Sequence, residues 1–204
     1  MNKKIKGDAP HPSRADKLAT LQEAIADYQP GDNELIDRVE EEKLAPIRAK
    51  AVRLINHRAR SEHELRQRLL DADFAPELVD TVVHRCLDNG MIDDATFARE
   101  WVRQRQEHQK KSRSVLRREL YAKGIDEALI NDALEQVSDE DQQDILWTLV
   151  WKKVQTVKEK PTSFAEYNKV LRKVVGVAAR RGFPEGQAME MGKQALEKRW
   201  EQLL

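Results

Sequence analysis

The sequence predicts an all-α protein made of three tandem three-helix repeats, preceded by an acidic N-terminal arm. Three observations favour this fold class. Apolar residues recur at helical spacing through residues 46–204, no segment alternates apolar and polar side chains long enough to form a strand, and one stretch of the chain repeats itself. The 204 residues are 40% hydrophobic and 35% charged, a composition typical of a strongly solvated, helix-rich protein.

Residues 1–45 differ in composition from the rest of the chain. Between Asp27 and Lys43 there are seven acidic residues and two basic ones, which gives a local net charge of −5. A charged segment with few core-sized side chains buries too little apolar surface to offset the entropy of folding. We therefore expect a flexible arm that is disordered or loosely helical.

Proline and glycine mark the ends of nine predicted helices. Prolines fall where helices can open, because proline is tolerated in the first turn. Glycines at 90, 124 and 182 fall where helices can close, because glycine readily adopts the left-handed conformation of a C-terminal cap. Ser61 and Ser112 are expected to cap helix N-termini. The predicted helices span residues 46–59, 61–71, 76–88, 94–109, 112–122, 126–137, 140–158, 163–180 and 184–202.

A shift of 51 residues superimposes one stretch of the chain on another. Residues 60–87 lie on residues 111–138 without a gap, and their apolar positions coincide, as with Leu69 and Leu120. A shift of 58 residues gives a fainter third copy. Repeats of this length indicate small helical units stacked in an array. The predicted units are residues 46–91, 92–138 and 139–204.

Patterns that carry enzyme chemistry are not found in the sequence. Asp93 and Asp94 would point about 100° apart on a helix, which favours a capped helix start over a carboxylate site. The five histidines form no i, i+4 pair, and the single cysteine, Cys86, completes no zinc set and is expected in the core. We predict no catalytic residue, no metal and no cofactor.

The charge distribution is uneven, although Lys+Arg and Asp+Glu both number 36. Between Arg99 and Lys123 there are nine basic residues and three acidic ones, a local net charge of +6. A solvated face and a surface for a polyanion or an acidic protein groove are both open interpretations. The candidate binding residues, which we name the repeat-2 basic face, are Arg103, Arg105, Lys110, Lys111, Arg113, Arg117 and Arg118.

Three motifs resemble those of one bacterial protein family. AVRLINHRARSEHEL at residues 51–65, LDNGMIDDATFAREWVRQR at residues 87–105 and LRRELYAKGID at residues 116–126 resemble the RecX family. The resemblance implies three tandem three-helix repeats that form an elongated, curved array. The chain departs from the family pattern at Lys110-Lys111, where many members carry a glycine.

The resemblance also implies a function. RecX proteins are cytoplasmic regulators in DNA repair, homologous recombination and the SOS response. They bind the RecA recombinase in the groove of its filament on DNA, and they usually suppress filament growth, ATP hydrolysis and strand exchange. The expected protein is a non-enzymatic inhibitor and a monomer, with the RecA filament and its DNA as partners. A direct DNA-binding protein that uses one repeat as a helix-turn-helix, and a helical adaptor for another protein, are the alternatives.

Location in the cytoplasm is also expected from the sequence. The longest apolar stretches, such as residues 145–151, are too short to span a bilayer, so no membrane contact is predicted. The basic N-terminus has no apolar stretch after it, unlike a secretory signal. A single cysteine agrees with a reducing environment.

Overall fold

The computed structural model describes residues 38–203, and this part of the chain contains nine α-helices and no strand. The all-α fold class is confirmed. Every helix except the first begins within one residue of its predicted start, and the seventh ends at Val154 rather than at residue 158. The helices are α1 (Arg38–His57), α2 (Glu62–Leu70), α3 (Pro76–Asp88), α4 (Asp94–Gln109), α5 (Arg113–Ala122), α6 (Glu127–Glu135), α7 (Asp139–Val154), α8 (Phe164–Ala179) and α9 (Glu185–Glu201).

Helix α1 begins at Arg38, eight residues before its predicted start, and Pro46 lies inside it rather than in its first turn. Two acidic residues occupy the first turn, where the positive end of the helix dipole favours them. The apolar residues at positions 44, 47 and 51 are buried at helical spacing. Residues 38–45 of the predicted arm are thus helical, and residues 1–37 lie outside the described residues.

The sequence repeat corresponds to repeated packing. Helices α4, α5 and α6 pack on one another, as do α7, α8 and α9, and α2 packs on α3. The leucines of the middle helices that coincide under the 51-residue shift, Leu65 with Leu116 and Leu69 with Leu120, are fully buried. Cys86 is buried in α3, as predicted, and burial raises the pKa of its thiol. The core of the second repeat contains Phe97, Val102, Leu116, Leu120 and Ile130, and that of the third contains Leu146, Val150, Leu171, Val174 and Leu196.

The turn after each middle helix has the same backbone conformation in the three repeats. Gly124 and Gly182 have φ values of +72° and +83°, and Asp73 occupies the corresponding position in the first repeat with φ of +61°. The residue that follows each glycine donates its N–H to the carbonyl oxygen five residues earlier, at 3.2 Å, and its side chain is buried. This geometry closes the helix and satisfies a free carbonyl, as predicted for the two glycines.

The N-terminus of a middle helix is hydrogen bonded to the glycine turn of the next repeat. Ser61 caps α2 and donates its hydroxyl to the carbonyl oxygen of Lys123 at 2.7 Å. Ser112 caps α5 and donates its hydroxyl to the carbonyl oxygen of Gly182 at 2.7 Å. These two serines are the buried polar residues among those the structure describes. The predicted caps are confirmed, and each serine has a second role between repeats.

These two contacts, which we name the repeat joints, leave no room for a side chain on the turn. A Cβ atom added at Gly124 would lie 2.3 Å from Cβ of His63. One added at Gly182 would lie 2.1 Å from Cγ2 of Val115. Glycine is needed at both positions for its conformation and for the close approach of the preceding repeat.

Candidate partner-binding surface

The Asp93–Asp94 pair marks a helix start, as predicted. The Asp93 carboxylate accepts hydrogen bonds from the Thr96 hydroxyl at 2.6 Å and the Thr96 N–H at 3.0 Å, and these bonds lower its pKa. Asp94 is half-buried, which raises the pKa of its carboxyl. Its Oδ1 atom accepts the N–H of Glu62 at 2.8 Å, so it caps α2 of the preceding repeat. The pair therefore serves α4 and the first repeat joint.

Glu64 adds an ionic contact to the first repeat joint. Its carboxylate accepts hydrogen bonds from Arg58 at 2.9 and 3.0 Å and forms an ion pair with Lys123 of the second repeat. Burial raises the pKa of Glu64, but the hydrogen bonds and charges of the two cations outweigh this effect and lower it to about 2. The carboxylate thus stays ionised at neutral pH and links two repeats.

Four residues of the repeat-2 basic face form ion pairs with acids of the same chain. Arg103 lies 2.8 Å from Glu100 and 3.2 Å from Glu107 on the exposed side of α4. Arg113 lies 2.9 Å from Asp139 at the start of α7, and it also donates to the carbonyl oxygen of Val137. Arg113 therefore holds the second and third repeats together.

Glu119 engages the other two paired residues of this face. Its carboxylate forms an ion pair with Lys111 and lies 3.5 Å from Nε of Arg105. It also accepts the indole N–H of Trp101 at 3.1 Å, and the Arg105 guanidinium lies 4.2 Å from the Trp101 ring centroid. Trp101 is half-buried and stacks on Phe97 at the edge of the core, with ring centroids 5.7 Å apart. This cluster fastens α4 to α5.

The remaining residues of the face, Lys110, Arg117 and Arg118, form no ion pair within residues 38–203. Lys110 ends α4 in the left-handed conformation, with φ of +52°, a backbone geometry that favours glycine. Arg117 lines a groove of about 600 Å³ together with Gln142 and Phe183. Arg118 is exposed. That these residues bind a partner stays a prediction.

Sequence reasoning missed a second set of unpaired basic residues, on helix α8. Residues 164–181 contain five basic residues and one acidic residue, a local net charge of +4. This is less than the net charge of +6 between Arg99 and Lys123, which drew attention to the second repeat. Their spacing along the predicted helix was the signal that could have identified them. The exposed members, which we name the α8 basic face, are Lys169, Arg172, Lys173 and Arg180.

The described part of the chain offers neither a metal site nor a membrane span. Within residues 38–203, no three His, Cys, Asp or Glu side chains come together where a metal ion could bind. None of the helices from α1 to α9 is long and apolar enough to cross a membrane.

A known relative matches nearly the whole chain, and others match about three quarters of it. A "Regulatory protein RecX" from Corynebacterium efficiens is 40% identical over 201 residues, which cover 95% of this chain and 96% of the relative. The chain belongs to the RecX family. Proteins of the same name from Mycobacterium avium and Streptomyces coelicolor are 34% and 32% identical, over 71% and 76% of this chain and 81% and 79% of their own lengths.

Domain and fold comparisons agree with membership of the RecX family. The family descriptions "RecX, first three-helix domain" and "RecX, second three-helix domain" match residues 48–86 and 93–134. The crystal structure of RecX from Lactobacillus salivarius superimposes with a TM-score of 0.65 at 20% identity, over 78% of this chain and 99% of that one. A second crystal structure of a regulatory protein RecX gives 0.64 at 22% identity, over 88% and 86%. The predicted family and its three-helix domains are confirmed, and RecX is a family of regulatory proteins, in agreement with a role that is not enzymatic.

Proposed function

We propose that this protein is a non-enzymatic inhibitor of the RecA recombinase. It binds in the groove of RecA–DNA filaments and suppresses filament growth, ATP hydrolysis and strand exchange. The observation that supports this proposal is the 40% identity to a regulatory protein RecX over 95% of the chain. Its cellular role is then the control of recombination and DNA repair in the cytoplasm.

The mechanism is binding to one state of the filament. A protein that contacts adjacent recombinase protomers favours the arrangement that it fits, and it disfavours the rearrangements needed for ATP turnover or for adding the next protomer. The size of the effect is set by the difference in affinity between the two states. The repeat joints support this role, because a binder whose units are already fixed loses less entropy on binding than a flexible one.

The central test is a titration of the DNA-dependent ATPase of the recombinase from the same organism. We expect the ATPase rate to fall as the protein is added, well before it equals the recombinase in concentration. No change at any ratio up to equimolar would refute the proposal. Sequence-specific DNA binding without recombinase would instead identify a helix-turn-helix DNA-binding protein.

The unpaired residues of the repeat-2 basic face are the proposed contact with the filament. The double variant Arg117→Glu, Arg118→Glu should inhibit the ATPase at least tenfold less well, because each substitution reverses a charge at the contact. Arg113 is left unchanged, because it holds two repeats together.

The matched control is the double variant Arg53→Glu, Arg68→Glu. It reverses the charge of two exposed arginines of the first repeat that also form no ion pair within the described residues. This control should inhibit as the unmodified protein does. Circular dichroism should show the same helicity for all three proteins. Equal inhibition by the two double variants would remove Arg117 and Arg118 from the contact.

A further inference from the structure

Helix α8 and its C-cap residue, Arg180, carry four basic residues along one exposed side. Lys169, Arg172, Lys173 and Arg180 fall within an arc of about 100° around the helix, given 3.6 residues per turn. The buried residues of α8 lie on the opposite side and pack against α7 and α9. From Lys169 to Arg180 the face extends about 16 Å along the helix axis, at 1.5 Å per residue.

These four residues form no close ion pair within the described chain, although the charge of Lys169 helps to lower the pKa of Glu166. None of them forms an ion pair within residues 38–203, whereas most of the repeat-2 basic face is paired internally. The one acidic residue of α8, Glu166, lies in the first turn, where its carboxylate accepts hydrogen bonds from the Thr162 N–H and hydroxyl, both at 3.0 Å. A stripe of one sign along a helix is the electrostatic footprint of a polyanion-binding surface.

Gly176 lies in the middle of the α8 basic face, and the packing of the protein does not require it. A Cβ atom added there would meet only Nη1 of Arg180, at 3.6 Å, which is an ordinary contact. Gly192 of α9 is different, because a Cβ there would lie 3.1 Å from Cδ1 of Leu171 in the core. Glycine inside a helix is unfavourable, and it is used where a partner must approach the backbone closely.

We propose that the α8 basic face binds the sugar–phosphate backbone of duplex DNA, with Gly176 letting a phosphate approach the helix. Regularly spaced phosphates complement four cations spread along one helix side. The face has no aromatic side chain on which unpaired bases could stack, which favours a duplex over a single strand. The inference rests on the proposed function in one respect, that this DNA is the DNA of the recombinase filament.

The test measures fluorescence anisotropy of a labelled 30-base-pair duplex with the full chain alone, in salt from 50 to 200 mM. The α8 variant replaces its four basic residues with glutamine. The matched control removes the same charge from exposed bases that form no ion pair within residues 38–203. The two sets are Lys169→Gln, Arg172→Gln, Lys173→Gln and Arg180→Gln, against Arg53→Gln, Arg68→Gln, Lys152→Gln and Lys193→Gln.

The α8 variant should bind the duplex at least tenfold more weakly at 50 mM salt. The slope of log K against log salt should become shallower by about 3 to 4, near 0.9 for each phosphate that the variant no longer neutralises. The control should stay within about threefold of the unmodified protein, with an unchanged slope. An equal weakening in the two variants would show that total charge is responsible, and it would overturn the proposal. Failure of the unmodified protein to bind the duplex would also overturn it.

Gly176→Ala tests the close approach without a change of charge. It should weaken DNA binding severalfold while the melting temperature stays the same or rises, because alanine is the better helix former. Unchanged DNA affinity would refute the role assigned to Gly176.

The recombinase ATPase assay separates this proposal from the proposed function. Inhibition by the unmodified protein together with normal DNA binding by the α8 variant would refute the α8 proposal alone. Loss of DNA binding in the α8 variant, with no inhibition by the unmodified protein, would refute the proposed function alone. An α8 variant that binds DNA normally but no longer binds the filament would assign this face to an acidic protein surface, against the proposal.

Discussion

Replacing Gly182 with alanine should destabilise the protein much more than the same change at Gly90. Both glycines have a left-handed backbone, with φ of +83° and +66°. Alanine in this conformation costs about 1–2 kcal/mol. At Gly90 no atom lies within 4 Å of the added Cβ, so the conformational cost is the whole effect.

At Gly182 the added Cβ would overlap the second repeat joint. It would lie 2.1 Å from Cγ2 of Val115 and 2.7 Å from Oγ of Ser112, whereas carbon atoms in contact prefer about 3.5–4.0 Å. To restore a normal contact, the two sides of the joint must move apart by roughly 1 Å or more, or the backbone must distort. Overpacking of this kind typically costs about 1–3 kcal/mol. The conformational and steric costs together give about 2–5 kcal/mol for Gly182→Ala.

Urea unfolding followed by circular dichroism measures both free energies of unfolding. A double-mutant cycle identifies the cause, because Val115→Ala removes Cγ2 and leaves Cβ of residue 115 at 3.3 Å. We expect Val115→Ala to recover part of the stability lost by Gly182→Ala. Two outcomes would refute the idea that the repeat joint requires glycine at position 182. One is an equal loss of stability in Gly90→Ala and Gly182→Ala, and the other is strict additivity of Gly182→Ala and Val115→Ala.

Three further predictions concern single side chains. Lys110→Gly should stabilise the protein by about 1 kcal/mol, because glycine adopts the left-handed backbone conformation of residue 110 without the steric cost that lysine has. A lower urea midpoint for the variant would argue against this. Glu64 has its pKa lowered from 4.5 to about 2, so its contribution is full above pH 4.5 and is lost as the pH falls toward 2. Glu64→Gln should lower the free energy of unfolding by about 1–2 kcal/mol at pH 7, after allowance for solvent screening. Between pH 4.5 and 2 the variant should lose less stability than the unmodified protein, because it lacks the carboxylate that titrates there. Asp94 has a raised pKa, so its charge disfavours folding at neutral pH. Asp94→Asn keeps an oxygen acceptor for Glu62 and should match or exceed the stability of the unmodified protein at pH 7, with the advantage shrinking at acid pH.

Helix starts could be predicted well from sequence, because a cap depends on neighbours within one turn. Ser61, Ser112 and Asp93 each accept an N–H from three residues ahead, as the sequence indicates. The start of α1 could not be predicted in this way. Pro46 indicates a helix start locally, but the buried apolar spacing continues on both sides of it.

The candidate surface was less predictable than the fold, because charge counts do not show which charges are paired. Glu119 is one of three acids in a basic stretch, yet it contacts Lys111, Arg105 and Trp101. Those contacts depend on the angle between α4 and α5, which local sequence does not determine. The second role of Ser112 is similar, since its acceptor at Gly182 is 70 residues away.

The geometry of the joints has a consequence for the length of the array. Each glycine turn packs against the N-terminus of the serine-capped middle helix of the preceding repeat. The first repeat has the same turn but carries Asp73 there, at the position where a Cβ added to Gly124 or Gly182 would lie 2.3 or 2.1 Å from the preceding repeat. The Asp73 side chain occupies the space that a glycine would leave for a preceding repeat, as expected of the end repeat of a solenoid. A repeat placed before the first could therefore not form the same joint unless the turn at Asp73 moved.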